Sequence, residues 1–103
     1  MKARINNELV EECVRMRDQA FRAVLENDDI SLFEDYIEQY CPQVKTDLIG
    51  FGYNGERIPE VIRLTAYKCI PEVTTFTPAE RNRARRWLRD HGCSPIFDRE
   101  EKK

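Results

Sequence analysis

The clearest secondary-structure signal in the chain is the segment TPAERNRARRWLRDHG, residues 77–92. Thr77 is a preferred N-cap residue, Pro78 suits the first helical position, and Glu80 is the reciprocal acid of a capping box. Gly92 occupies the position just past a helix, where glycine is favoured. The segment therefore predicts a helix that begins after the threonine and stops at the glycine.

This predicted helix, which runs to His91, has an apolar side and a basic side. The apolar positions recur at helical spacing: Ala84, Trp87, Leu88 and His91. The arginines cover nearly all of the opposite surface: Arg81, Arg83, Arg85, Arg86 and Arg89. Such a row can neutralise phosphates or pair with the carboxylates of an acidic partner, but it is also typical of an ordinary solvated face. The candidates for nucleic-acid binding are Arg81, Arg85, Arg86 and Arg89.

Three further helices are predicted earlier in the chain, over residues 8–26, 31–40 and 59–69. Apolar residues recur in each of them at the spacing of an amphipathic helix. Ser31 and Glu34 have the spacing of a capping box at the start of the second of these helices. Each helix therefore has one apolar face to bury against its neighbours.

The stretch between residues 43 and 58 is predicted to be irregular. Its centre is rich in glycine and aromatic residues: Gly50, Phe51, Gly52, Tyr53 and Gly55. This composition is typical of a turn-rich connection, with a brief strand over residues 44–48 or 49–53 as the alternative. The expected fold class is all-α, a small four-helix domain with an irregular glycine and aromatic central loop.

The length of 103 residues predicts a single helical domain over residues 1–103. Residues 94–97 are expected to fold back onto the core, and residues 98–103 to form a loose charged tail. With 41% hydrophobic and 35% charged residues, and with no long apolar run, the sequence argues against a membrane protein. We expect a cytoplasmic location. The four cysteines are expected to be reduced, because they form no close pair in the sequence.

Two groups of residues are candidates for protein binding. The first is the acidic face of the second helix: Glu34, Asp35 and Glu38. The second group consists of aromatic and aliphatic residues that would serve as interface anchors if they are partly exposed: Phe51, Tyr53, Leu64 and Tyr67. Aromatic side chains on a rigid scaffold are good interface anchors. The alternatives are that the acidic face only aids solubility and that the aromatic residues belong to the core.

The sequence offers little support for catalysis or for a cofactor. It has one histidine, and no serine or cysteine stands in a known nucleophile setting. The spacing of His91 and the cysteines matches no standard zinc pattern. A net charge of −2 and a pI near 5.5 also argue against a dedicated DNA-binding protein. We expect a non-enzymatic protein without a metal ion or cofactor.

Both ends of the chain resemble small proteins of Firmicutes phages and integrated mobile elements. The resemblance lies in residues 7–21 and 27–29 at one end and, at the other, in the passage that runs from residues 77–80 through 87–88 to 92–95. It covers about half of the chain and implies a genomic setting, with no functional residue to carry over. Small acidic proteins from such elements often act on host machinery, and anti-CRISPR inhibitors are one class of them.

The leading hypothesis is a non-catalytic phage-type accessory protein that binds a host or phage protein, with inhibition of a host defence system as one form of that role. The alternative is a nucleic-acid-binding accessory protein that uses the arginine face of the last helix. A second copy of the chain is a further candidate partner, through the opposite charges of the acidic and arginine faces.

Overall fold

The computed structural model describes residues 7–53, 55–93 and Glu101, and among these it contains α-helices and no strand. The helices are α1 (Asn7–Asn27), α2 (Ser31–Tyr40), α3 (Gln43–Gly50), α4 (Ile58–Cys69) and α5 (Pro78–Asp90). A short 3-10 turn, Ile70–Glu72, follows α4. The prediction of an all-α fold is confirmed.

The first two helices form an antiparallel hairpin that supplies one side of the core. The chain reverses at Asp28, whose φ of +53° lies in the left-handed region and whose N–H donates to the carbonyl of Val24. The ring centroids of Phe21 on α1 and Phe33 on α2 are 5.0 Å apart. Both rings are buried, and they pack among the aliphatic residues Val24, Leu25 and Ile37 of the same two helices.

The first backbone N–H of α2 is bound by Asp29, since the N-cap residue Ile30 makes no side-chain capping bond. The carboxylate of Asp29 accepts hydrogen bonds from the backbone N–H of Ser31 at 2.9 Å and from its hydroxyl at 2.7 Å. These two bonds favour the ionised form and lower the pKa of Asp29. Because Ser31 is already the first helical residue and its side chain makes no capping bond, the predicted capping box with Glu34 is wrong.

The segment after Pro42 forms α3, so the prediction of four helices is wrong. Between Gln43 and Ile49 there is neither glycine nor proline, and Val44 and Leu48 are one helical turn apart with both packed against the core. The Gln43 side chain also donates to Asp47 at 3.1 Å, an i,i+4 bond that supports a helix. The glycines that suggested an irregular segment stand only at its end.

The irregular connection is therefore shorter than predicted, and it contains neither of the two alternative strands. It follows α3 at Phe51 and leads into α4, with Asn54 outside the described residues. Gly52 has φ +96°, a backbone conformation that an L side chain rarely adopts. The turn leaves Phe51 81% exposed.

The last two described helices close the other side of the core. Ile62 and Ala66 on α4, Ile70 in the 3-10 turn, and Ala84 and Leu88 on α5 are almost completely buried. They belong to the same cluster as the aromatic residues of the α1–α2 hairpin. The described helices therefore share one hydrophobic core.

Two predictions fall partly or wholly outside the described residues. The expected return of residues 94–97 to the core lies outside them, and so does most of the predicted charged tail, residues 98–103. The exception in the tail is Glu101, which is not loose but bound to α5. Among the described helices, none combines the length and apolar composition that crossing a membrane requires.

Candidate functional site

The local structure of α5 fixes the positions of the side chains that bind Glu101. Thr77 Oγ accepts from the backbone N–H of Glu80 at 3.2 Å, and the Glu80 carboxylate accepts from the N–H of Thr77 at 2.9 Å. This is the predicted capping box, and it is confirmed, as is the stop at Gly92, whose φ is +72°. The bond from Thr77 is the main cause of the lowered pKa of Glu80.

Two arginines one helical turn apart on α5 hold the carboxylate of Glu101. Arg81 donates to it twice, from Nε to Oε2 at 2.6 Å and from Nη2 to Oε1 at 2.7 Å. Arg85 donates from Nη1 to Oε2 at 3.0 Å. A bidentate arginine–carboxylate pair is among the strongest hydrogen-bonded arrangements in proteins, and here a second guanidinium is added to it.

Asn82 binds the backbone of the same residue. Its Nδ2 donates to the carbonyl oxygen of Glu101 at 2.6 Å, and its Oδ1 accepts from the Glu101 N–H at 2.9 Å. The amide therefore pairs with both backbone groups of one residue, as a neighbouring strand would. Asn82 is only 1% exposed, so its orientation is set by packing as well as by these bonds.

Carbonyl groups of the 3-10 turn and of the segment after it hold the two arginines in place. Arg81 Nη1 donates to the carbonyls of Phe76 and Val73, and Arg85 Nη2 donates to the carbonyl of Pro71 at 3.4 Å. Arg85 Nη1 also donates to Asn82 Oδ1 at 2.8 Å. The guanidinium groups therefore do not depend on Glu101 alone for their position.

The electrostatics of this cluster favour an anion strongly. The hydrogen bonds from Arg81 and then Arg85 lower the pKa of Glu101 to about 2, so its carboxylate is ionised at every ordinary pH. The same contacts raise the pKa of Arg81. We call Arg81, Asn82 and Arg85 the Glu101 site. Beside it lies a cavity of about 290 Å³ that the two arginines and Glu101 line together with Pro71, Glu72 and Thr74.

The structure divides the predicted arginine face into two parts. Arg85 is 5% exposed and the Arg81 side chain 14%, so both lie inward, in contrast to the predicted solvated surface. Arg83, Arg86 and Arg89 are exposed on the outer side. The reason is visible in the spacing, because Asn82, Arg85 and Leu88 recur every three residues and share the side of α5 that meets the core.

The predicted protein-binding residues are not brought into one surface by any described contact. Asp35 and Glu38 are exposed on α2 and Glu34 is half-buried, while Phe51 and Tyr53 are exposed after α3. Leu64 on α4 is half-buried and packs against the core. The expected exposure of Tyr67 is wrong.

Tyr67 is 4% exposed and lies at the inner end of an aromatic stack. Its ring is parallel to Trp87 with centroids 3.7 Å apart, and Trp87 stacks on His91 at 3.8 Å. The Tyr67 hydroxyl donates to the carbonyl of Val24 at 3.1 Å, and burial is the main cause that raises its pKa to about 12. The stack ends at His91, which is exposed.

Among the described residues, the cysteines and acidic side chains form no group that could hold a metal ion. All four cysteines are free, and burial raises the pKa of the Cys69 thiol. In the part of the chain that the structure describes, no three His, Cys, Asp or Glu side chains are grouped so as to hold a metal ion. Cys41 and Cys69 border an apolar groove of about 360 Å³ between α1, α2 and α4.

Asn82 of the Glu101 site and Glu101 itself were not among the predicted site residues. The signal for Asn82 was available, because the same three-residue spacing that buries Arg85 and Leu88 includes it. No local pattern indicates Glu101, since its partners lie 16 to 20 residues earlier in the chain.

No protein-family model, no curated protein sequence and no solved structure matches the chain. The resemblance of the two chain ends to phage and mobile-element proteins stays a prediction. Among the described residues, the Glu101 site is the arrangement whose side chains bind a carboxylate and a backbone with defined geometry.

Proposed function

We propose that this chain is a non-catalytic binding protein that recognises an acidic residue in an extended segment of a partner protein through Arg81, Asn82 and Arg85. One observation carries the proposal. The amide of Asn82 pairs with both backbone groups of Glu101 while two guanidinium groups bind its carboxylate. Backbone pairing supplies affinity and a charged pocket supplies selectivity, as in known modes of peptide recognition.

Nothing in these contacts depends on the acidic residue belonging to the same chain. Each bond uses a backbone group or a carboxylate, which a glutamate in any extended segment also presents. Glu101 then acts as a competitor whose covalent link gives it a high local concentration. The alternative is that the site only ties residue 101 to α5, and a peptide supplied in solution separates the two.

The test is a binding assay with the acetylated and amidated peptide of residues 97–103, in which Glu100 is replaced by Gln so that only one glutamate remains. Fluorescence anisotropy is measured with the full chain and with its Glu101→Ala variant. We expect saturable binding to Glu101→Ala and binding at least about tenfold weaker to the unchanged chain, because Glu101 competes. Circular dichroism checks that each variant is folded.

Two further variants in the Glu101→Ala background locate the binding. Arg81→Gln removes the bidentate contact and should weaken binding at least about tenfold. Arg83→Gln removes the same charge from the exposed side of α5 and should leave the affinity within about twofold. Absence of binding to Glu101→Ala, or equal losses in the two arginine variants, would contradict the proposal.

The proposed partner is a host or phage protein, and the resemblance of the chain ends supports that setting. Inhibition of a host defence system is one form that such binding takes. An acidic segment suits the site in either case, because the proposed contacts involve one acidic side chain and the backbone of the same residue. The exposed Phe51 and Tyr53 offer additional apolar contact area to a partner of this kind.

Nucleic-acid binding is the second candidate function, and one observation favours it. Arg83, Arg86 and Arg89 are exposed on the α5 that carries the Trp87–His91 stack, and single strands are bound by such combinations of cations and rings. Anisotropy with a labelled single-stranded oligonucleotide tests it. Affinity that falls steeply with salt and is lost when the three arginines become glutamine supports this function, and no binding contradicts it.

A further inference from the structure

We infer that the preferred ligand of the Glu101 site is a phosphoserine in an extended segment of another chain, with Glu101 holding the position of that residue. The inference rests on the proposed function and names its ligand class. Three features support it: the length of the glutamate side chain, the number of charges in the site, and a donor of Arg85 that makes no hydrogen bond to the carboxylate.

The side chains of glutamate and phosphoserine are equally long when their bonds are counted. In glutamate, three bonds join Cα to the carboxyl carbon, and the oxygens follow. In phosphoserine, three bonds join Cα to phosphorus, and the oxygens again follow. A phosphoserine whose backbone pairs with Asn82 as Glu101 does therefore brings its phosphate to the two guanidinium groups that now bind the carboxylate.

Among the described residues, the charges at the site are unequal. Arg81 and Arg85 bring two positive charges, and Glu101 brings one negative charge. Glu80 has its own partners, Arg22 at 2.7 Å and the N–H of Thr77. A phosphoserine carries between one and a half and two negative charges near pH 7 and so matches two guanidinium groups better than a carboxylate does.

Among the described residues, the remaining acid that lines the adjacent cavity is Glu72, which is exposed. It makes no described hydrogen bond to Arg81 or Arg85, whose partners are the carbonyls of the neighbouring turn, Asn82 and Glu101. Its repulsion of an incoming phosphate is weakened by solvent, because it is exposed.

Arg85 has one hydrogen-bond donor, Nε, without a described partner. Although Arg85 is 5% exposed, its Nε has no hydrogen-bond partner among the described residues, and a buried unpaired N–H is costly. A phosphate offers three terminal oxygens where a carboxylate offers two, and the cavity of about 290 Å³ beside Glu101 has room for the third. A phosphoserine segment therefore brings one more acceptor oxygen to a site in which Arg85 Nε has no described partner.

The test compares three peptides on the Glu101→Ala chain by isothermal titration calorimetry. All three span residues 97–103 with Glu100 replaced by Gln, and position 101 holds glutamate, phosphoserine or serine. We expect the phosphoserine peptide to bind at least about fivefold tighter than the glutamate peptide, and the serine peptide to bind weaker than both. Arg83→Gln should keep this order, whereas Arg81→Gln should reduce the advantage of phosphate.

The outcomes separate the inference from the proposed function. If the glutamate peptide binds and the phosphoserine peptide binds no tighter, the inference is overturned and the function stands. If neither peptide binds, both are overturned. Should Arg81→Gln fail to fold, N-acetyl-phosphoserine-N-methylamide is used to displace the glutamate peptide. Displacement at concentrations where inorganic phosphate has no effect supports the inference, and equal displacement by inorganic phosphate overturns it.

Discussion

Asn82 connects the buried side of α5 to the backbone of Glu101. A polar side chain that is 1% exposed must be satisfied inside the protein, and both ends of this amide are used on Glu101. Arg85 beside it is also buried, and its charge is balanced by the same residue. Burying these two polar side chains therefore costs free energy, and their hydrogen bonds to Glu101 offset that cost.

Tyr67 gives a prediction at the same scale. Replacing Tyr67 with Phe keeps the ring stacked on Trp87 but removes the hydroxyl that donates to the Val24 carbonyl. We expect the free energy of unfolding in urea to fall by about 1 kcal/mol. Tyr53→Phe, at an exposed position, is the matched control and should change it by less than about 0.5 kcal/mol.

The pH dependence of Tyr67 has a defined sign. Burial raises its pKa to about 12 in the folded chain, from an ordinary value near 10. Between these two pH values the unfolded chain ionises first, so the contribution of Tyr67 is complete below pH 10 and is lost as the pH approaches 12. The stability of the parent chain relative to Tyr67→Phe should therefore fall steadily over this range. A constant difference would contradict the account.

Much at the residue scale could be predicted from the sequence, and the errors have physical causes. The spacing of Ala84 and Leu88 correctly placed them in the core. Partial exposure of Tyr67 was considered because a helical wheel of α4 does not show the ring of Trp87 on α5 that stacks on it. Arg81 and Arg85 were expected in solvent, because a charged residue is assumed to be exposed unless its counter-charge is known.

The helices differ in how directly their boundaries follow from local sequence. The predicted helices at α1, α2, α4 and α5 are present because each has an uninterrupted apolar period, and proline or glycine marks some of their boundaries. α3 was missed because its eight residues are too few to show a period, and the glycines that follow it dominate the composition. Its helix depends on packing of Val44 and Leu48 against the core.

The cap of α2 gives a prediction at the scale of the element. Asp29→Ala removes the carboxylate that accepts both bonds from Ser31, so it should lower the melting temperature by several degrees. Ser31→Ala removes only the hydroxyl donor and should lower it less. The reverse order would show that Ser31, not Asp29, caps the helix.

At the scale of the whole molecule, one core of aromatic and aliphatic side chains supports a binding arrangement on its last helix. α5 packs against α4 and the 3-10 turn on its inner side, and that packing sets Asn82 and Arg85 in position. The helical spacing of the apolar residues predicted a helical protein, but the long-range pairing of Glu101 with α5 has no periodic signature. The fold class was therefore predictable, whereas the site required the tertiary structure.

The central claim is that Arg81, Asn82 and Arg85 bind an acidic residue supplied by another chain. It is tested most directly by a titration of the isotopically labelled Glu101→Ala chain with the phosphoserine peptide, followed by two-dimensional NMR. The account predicts that the side-chain amide signals of Asn82 and the Nε–H signal of Arg85 shift and saturate together, while the signals of Arg83 and Phe51 move little. Saturation without movement of the Asn82 side chain would place the peptide elsewhere and contradict the account.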